Sequence, residues 1–201
     1  MEFEIRNTSV YGLKESEVAS GNSMRTEIES VTNYSEKDQL RSSKLGACPI
    51  GAGHDQFLTG IIVQMDVYAP LYWWKQAQRY NWFTFVSSQS TMHKLTEFDI
   101  KKECVSAVDP AILQIYQSLI NEYKEKDASD PEKEAYWYKL VASLPCGFVL
   151  GARITTNYRQ LKTMYSQRKN HKLVEWHTFC KWCDSLPQFM LLTNNVAKPC
   201  A

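Results

Sequence analysis

Alternation of apolar and polar positions opens the chain. Phe3 and Ile5 stand against Glu2, Glu4 and Arg6, a period of two that predicts a short strand within residues 1–12. Residues 13–47 are polar and serine-rich and read as a loop-rich segment with one helical piece. A small-residue turn, Cys48-Pro49-Ile50-Gly51-Ala52-Gly53-His54-Asp55, leads into 57–67, a nearly continuous β-branched stretch that fits a buried strand. Pro70 suits the first turn of a helix, which the pattern extends over 71–80, and 82–92 reads as strand and loop. Helix starts fall at 97–99 and at Asp109-Pro110. The segment 110–126 is amphipathic, with Ile112, Ile115, Tyr116, Leu119, Ile120 and Tyr123 on one side. Further helices are expected at 131–144 with Tyr136, Leu140 and Val141 inward, at 156–167 and at 173–186, before a tail at 188–201. Few strands and many helices predict an α+β fold: one domain over 1–201, with a small mixed or antiparallel sheet and a helix-rich C-terminal half.

Composition narrows the partners. A chain of 201 residues can bury a sizeable core, and its net charge of +1 gives no footprint for a nucleic-acid polymer. Arg153, Arg159, Lys162, Arg168, Lys169 and Lys172 nevertheless gather in one stretch, which suits a small anion. The six cysteines show no framework of repeated spacings, and the N-terminus lacks a signal-peptide pattern. Reduced thiols and a cytoplasmic location are therefore expected. The longest apolar run is broken by Gln64, Asp66 and Pro70, so no membrane span is expected. His177-x-x-Cys180-x-x-Cys183 lies along one helix, whereas zinc needs four ligands from converging directions; buried thiols and no metal are expected.

Candidate chemistry concentrates near the C-terminus. Leu144-Pro145 is followed by Asn157-x-Arg159-x-Leu161, then Arg168, His171 and Glu175-Trp176. Guanidinium groups are forked donors suited to phosphate or a pyrimidine carbonyl. The plainer reading is a solvated charged face with Asn157 as a helix cap. This ordered string resembles the nucleotide-binding end of the flavin-dependent thymidylate synthases, with the step from Arg168 to Glu175 one residue short and Leu173 where that family has glutamine. Gly53-His54-Asp55 resembles a histidine-and-acid turn of the same family, with Phe57 as its aromatic. Trp73-Trp74-Lys75 stands where the family carries Arg-His-Arg. Beyond a short insertion, Ser90 matches the signature serine, while Ser87-Ser88 replace Asn-Glu and Met92-His93 replace Arg-Tyr.

The resemblance implies roles residue by residue. Arg168 would hold the uracil or phosphate of dUMP and, as the catalytic group, stabilise charge developing on the ring. Lys75, Ser90, Thr91, His93 and Arg159 would complete the nucleotide contacts, and His54, Lys75, Asn157 and His171 would face the flavin. FAD would be the cofactor, with methylene-tetrahydrofolate and NADPH as co-substrates and dTMP as product. Active sites would be shared between subunits of a homotetramer. The altered signature leaves two alternatives: a diverged enzyme such as a dUMP or dCMP hydroxymethylase, and a non-catalytic nucleotide- or flavin-binding oligomer.

Overall fold

The computed structural model of the protein describes residues 1–193. Its elements follow in the order β1 (Glu4–Tyr11), α1 (Leu13–Ala19), α2 (Glu36–Gly46), β2 (Ile62–Pro70), α3 (Leu71–Ala77), β3 (Thr84–Ser88), α4 (Thr91–Lys94), α5 (Ile100–Glu103), α6 (Pro110–Glu125), α7 (Lys133–Ser143), β4 (Val149–Asn157), α8 (Tyr158–Arg168), α9 (Val174–Asp184) and α10 (Phe189–Thr193). The strands form one antiparallel sheet in the order β1–β2–β4–β3, so the α+β expectation holds. In β2 the period of two is plain: Val63, Met65, Val67 and Ala69 are buried, while Gln64, Asp66 and Tyr68 are partly exposed.

Several boundaries depart from the sequence reading. The loop-rich segment holds two α-helices, α1 and α2, because buried Glu17 and Ser42 bond each other where polar residues had suggested solvent. Gly12 starts α1 with a φ of +72°, and a side chain there would collide with the Gly60 carbonyl at 2.6 Å. The stretch expected as a strand from residue 57 begins instead with a 3-10 turn at Gln56–Gly60. Strand β4 was not foreseen. Its Gly151 looks like a breaker, yet a Cβ there would lie 2.7 Å from the Tyr68 ring, so the close approach demands glycine. The expected tail contributes α10, whose Phe189 and Leu192 are fully buried, while residues 194–201 lie outside the described residues.

The chain divides into two compact units. One comprises Met1–Glu4, Val67–Arg79 and Val86–Arg153. Its core joins Leu95, Ile100, Tyr116, Ile120, Leu140 and Phe148, and the Tyr116 hydroxyl donates to the Leu140 carbonyl at 2.8 Å. Ile112 and Ile115 of α6 are exposed instead of inward, because the buried stripe runs through Tyr116 and Ile120. Trp73 and Trp74 pack edge to face with centroids 5.1 Å apart, and Trp74 Nε1 donates to the Leu150 carbonyl at 3.1 Å.

The other unit comprises Ile5–Asp66, Tyr80–Phe85 and the stretch beginning at Ile154. Its helical core is aromatic: Trp176, Phe179, Tyr158 and Phe189 are each fully buried, and the Tyr158 hydroxyl donates to the Pro187 carbonyl at 2.6 Å. Asp38 at the start of α2 is buried. Burial opposes its charge, but hydrogen bonds from Arg41, Ser35 and Arg25 outweigh that and hold its carboxyl at about 2. Its folded value lies below the unfolded one, so its stabilising effect is present above 3.8 and fades as pH falls toward about 2. Acid titration followed by circular dichroism should therefore show Asp38→Asn losing less stability than wild type across that window; parallel curves would refute this assignment.

Cys48 is disulfide-bonded, against the expectation of reduced thiols throughout, whereas Cys104, Cys146, Cys180 and Cys183 are free. Burial pushes the Cys180 thiol up to about 11 and raises that of Cys183 well above its ordinary value, so neither is poised as a thiolate. Among the described residues, no helix is long and apolar enough to cross a membrane.

Candidate functional site

Strand β4 runs directly into α8, and Asn157 sits at the joint. Its backbone is extended, and its side-chain oxygen accepts the Gln160 N–H at 2.9 Å, which makes it the helix N-cap. Replacing Asn157 by alanine should cost about 1 kcal/mol in chemical denaturation. A loss within error of zero would show the cap to be idle.

One turn into the helix, Arg159 Nε donates to Asp55 at 3.0 Å and its Nη1 donates to Gln56 at 2.7 Å. Lys162 Nζ donates to the second Asp55 oxygen at 2.7 Å and to the Cys48 carbonyl at 2.6 Å. Asp55 and Lys162 are both buried. The basic face of α8 thus meets a carboxylate of its own chain, and the 48–56 turn is clamped onto the helix. His54, next to that clamp, is exposed. It borders a cavity of about 550 Å³ lined also by Ser16, Ser20, Phe57, Thr59 and Gly60.

Arg168 lies at the other end of α8. Its Nε donates to the Tyr80 hydroxyl at 2.8 Å, and its guanidinium carbon stands 4.6 Å from the Trp176 ring centre and 5.5 Å from that of Tyr80. His171 follows in the next turn. Its Nδ1 accepts the Leu173 N–H at 3.1 Å, and its carbonyl accepts from His177 Nε2 at 2.7 Å. Burial first, then the charges of Arg168 and His177, lower its pKa from the usual 6.5, which favours a neutral imidazole at neutral pH.

The remaining candidates belong to the other unit. Lys75 is exposed on α3, with Nζ 4.0 Å from the Cys146 sulfur, whereas its neighbours Trp73 and Trp74 are buried. Ser90 caps α4: its Oγ accepts the His93 N–H at 3.2 Å and lies 2.9 Å from His93 Nδ1. Thr91 is the first residue of that helix and is partly exposed.

Lys75, Ser90, Thr91 and His93 therefore share one unit, and His54, Asn157, Arg159, Arg168 and His171 share the other. Two contributors escaped the sequence reading. Asp55 stands inside the flagged turn, but only its buried contacts reveal it as the hub of Arg159 and Lys162. Tyr80 belongs to no motif, and nothing in its local sequence marks it as a partner of Arg168.

The sequence matches no protein-family profile and no curated relative. Solved structures do match. A flavin-dependent thymidylate synthase, ThyX, from Helicobacter pylori complexed with FAD and dUMP superposes with a TM-score of 0.69. The identity is 14%, over 98% of this chain and 100% of that one. A second structure of Helicobacter pylori ThyX, also with FAD and dUMP, gives 0.68 at 13% identity, covering 97% and 98%. The fold is that of the flavin-dependent thymidylate synthases. It extends over essentially the whole chain, including the α1–α2 region that lacks any resemblance at the level of motif. At this identity the likeness establishes architecture, and the reading of chemistry rests on the side chains.

Proposed function

We propose that the chain, acting as one ThyX-like domain over 1–201, binds dUMP and methylates it to dTMP, with FAD as cofactor and methylene-tetrahydrofolate and NADPH as co-substrates. The observation that carries this reading is the Arg168 guanidinium, oriented between Tyr80 and Trp176 beside a largely neutral His171, in a fold whose solved examples hold dUMP. A planar fork stacked in this way suits a pyrimidine carbonyl or a phosphate better than an ammonium would.

Arg168 would bind the nucleotide and stabilise negative charge on the uracil as its electrons shift. Arg159, Lys75, Ser90, Thr91 and His93 would complete the nucleotide contacts. Lys75 and His54, both exposed, are suited to a flavin's phosphate and ring edge; Asn157 and His171 would flank them. When bound, the flavin would supply the electrons that turn the folate's one-carbon unit into a methyl group. Sites shared between subunits of a homotetramer, as the resemblance implies, would let residues from different protomers meet on one ligand.

One observation favours a second reading. Trp73 and Trp74 are buried in the core, so two of the three positions where the resembled family carries Arg-His-Arg offer a ligand no polar group. That favours a diverged pyrimidine-nucleotide enzyme, such as a dUMP or dCMP hydroxymethylase, or a nucleotide-binding oligomer without flavin chemistry. An absorbance spectrum of the purified protein, recorded with and without added FAD and dUMP, separates the readings. Flavin bands that respond to dUMP support the thymidylate reading. Colourless protein that binds dUMP but takes up no FAD supports the oligomer. Rescue of a thymidine-requiring host distinguishes methylation from hydroxymethylation.

A further inference from the structure

Residues Tyr80–Phe85 lie between two stretches of the first unit in sequence, yet they pack with α8 and α9 in the second. Phe83 anchors them, buried against Phe179 with ring centres 6.3 Å apart. That anchor brings Tyr80 edge-on to Trp176 at 6.4 Å. The Tyr80 hydroxyl donates to Gln167 Oε1 at 2.9 Å and accepts Arg168 Nε–H at 2.8 Å. A phenol has one proton to give, so the bond to Gln167 turns its lone pairs toward Arg168.

The geometry points to Tyr80 as a positioning residue that fixes the Arg168 guanidinium for a pyrimidine mononucleotide; this rests on the dUMP reading above. Arginine side chains carry a large rotamer entropy, and ordering one on binding weakens affinity. Here the ordering is already done. The Nε–H bond sets the rotation about the last side-chain torsion, and the Trp176 face sets the plane. Tyr80 is partly exposed and Gln167 exposed, which separates their polar role from core packing.

The test uses the full-length protein and dUMP in titration calorimetry. Tyr80→Phe keeps the ring and removes only the oxygen, and should raise Kd about tenfold with the melting temperature nearly unchanged. Gln167→Met, at an exposed position, should raise it about threefold by freeing the phenol. In an Arg168→Ala background, Tyr80→Phe should change Kd by less than about twofold, because the two residues act as one. A ligand-free readout accompanies these: with isotope-labelled arginine, the slowly exchanging Arg168 Nε–H resonance should disappear in Tyr80→Phe. An unchanged Kd in Tyr80→Phe with the resonance retained overturns the positioning role and leaves the dUMP reading standing. So does an equal fall in affinity in both backgrounds. Wild-type protein that takes up no dUMP overturns the reading itself, and this proposal with it.

Discussion

Asp55→Ala is expected to destabilise the protein by about 3–5 kcal/mol, the cost of leaving a buried charge without its partner. Lys162 is the charge in question: its side chain is 5% exposed and that of Asp55 is 2% exposed, with 2.7 Å between them. Without the carboxylate, Lys162 keeps, among the described residues, the Cys48 carbonyl, a dipole that does not neutralise an ammonium. Arg159 suffers less, because its side chain is 35% exposed and it retains Gln56. Asp55→Asn, which keeps acceptor oxygen but loses charge, should fall between wild type and Asp55→Ala. Adding Lys162→Met to Asp55→Asn should recover much of the loss by removing the stranded ammonium. Urea denaturation measures all four proteins. A loss below about 1 kcal/mol for Asp55→Ala, the scale of a surface ion pair, would refute the burial argument.

Arg168→Ala is expected to weaken dUMP binding by about 2–4 kcal/mol, because a charged donor is stripped from an anionic ligand. Calorimetry reads this as a rise in Kd of roughly 30- to 1000-fold. Arg168→Lys restores charge without the planar fork or the aromatic stacking, so it should recover only part of the affinity. The fold should survive both changes, since Arg168 ends its helix and is partly exposed. Unchanged affinity in Arg168→Ala would remove Arg168 from the site.

Much of the architecture could be read from pattern alone, and the exceptions share a cause. The long amphipathic helix α6 and the Pro70 helix start rest on local periodicity and proline geometry, and both are present. Strand β4, helix α1 and the α10 segment are fixed by distant partners. Gly151 is dictated by Tyr68, Glu17 by Ser42, and Phe189 by Tyr158. No window of neighbouring residues carries that information. The exposure of Ile112 and Ile115 shows the converse, because an apolar stripe can be wider than the core it meets. At the candidate site, the sequence shows the cations gathered in one stretch but does not divide them. Arg159 and Lys162 turn to an internal carboxylate, and Arg168 turns to two aromatic rings. Only the fold assigns each cation its partner.

The Asp55 clamp also bears on the order in which the molecule assembles. Its two cationic partners lie 104 and 107 positions further along the chain. During synthesis from the N-terminus, the turn that presents His54 waits for the last third of the polypeptide before its carboxylate is matched. Closing so long a loop is slow, and it comes after local helices have formed. The residues lining the cavity beside His54 all precede position 61, so a nascent chain halted before Asn157 would carry that turn and its neighbours without the clamp that fastens it.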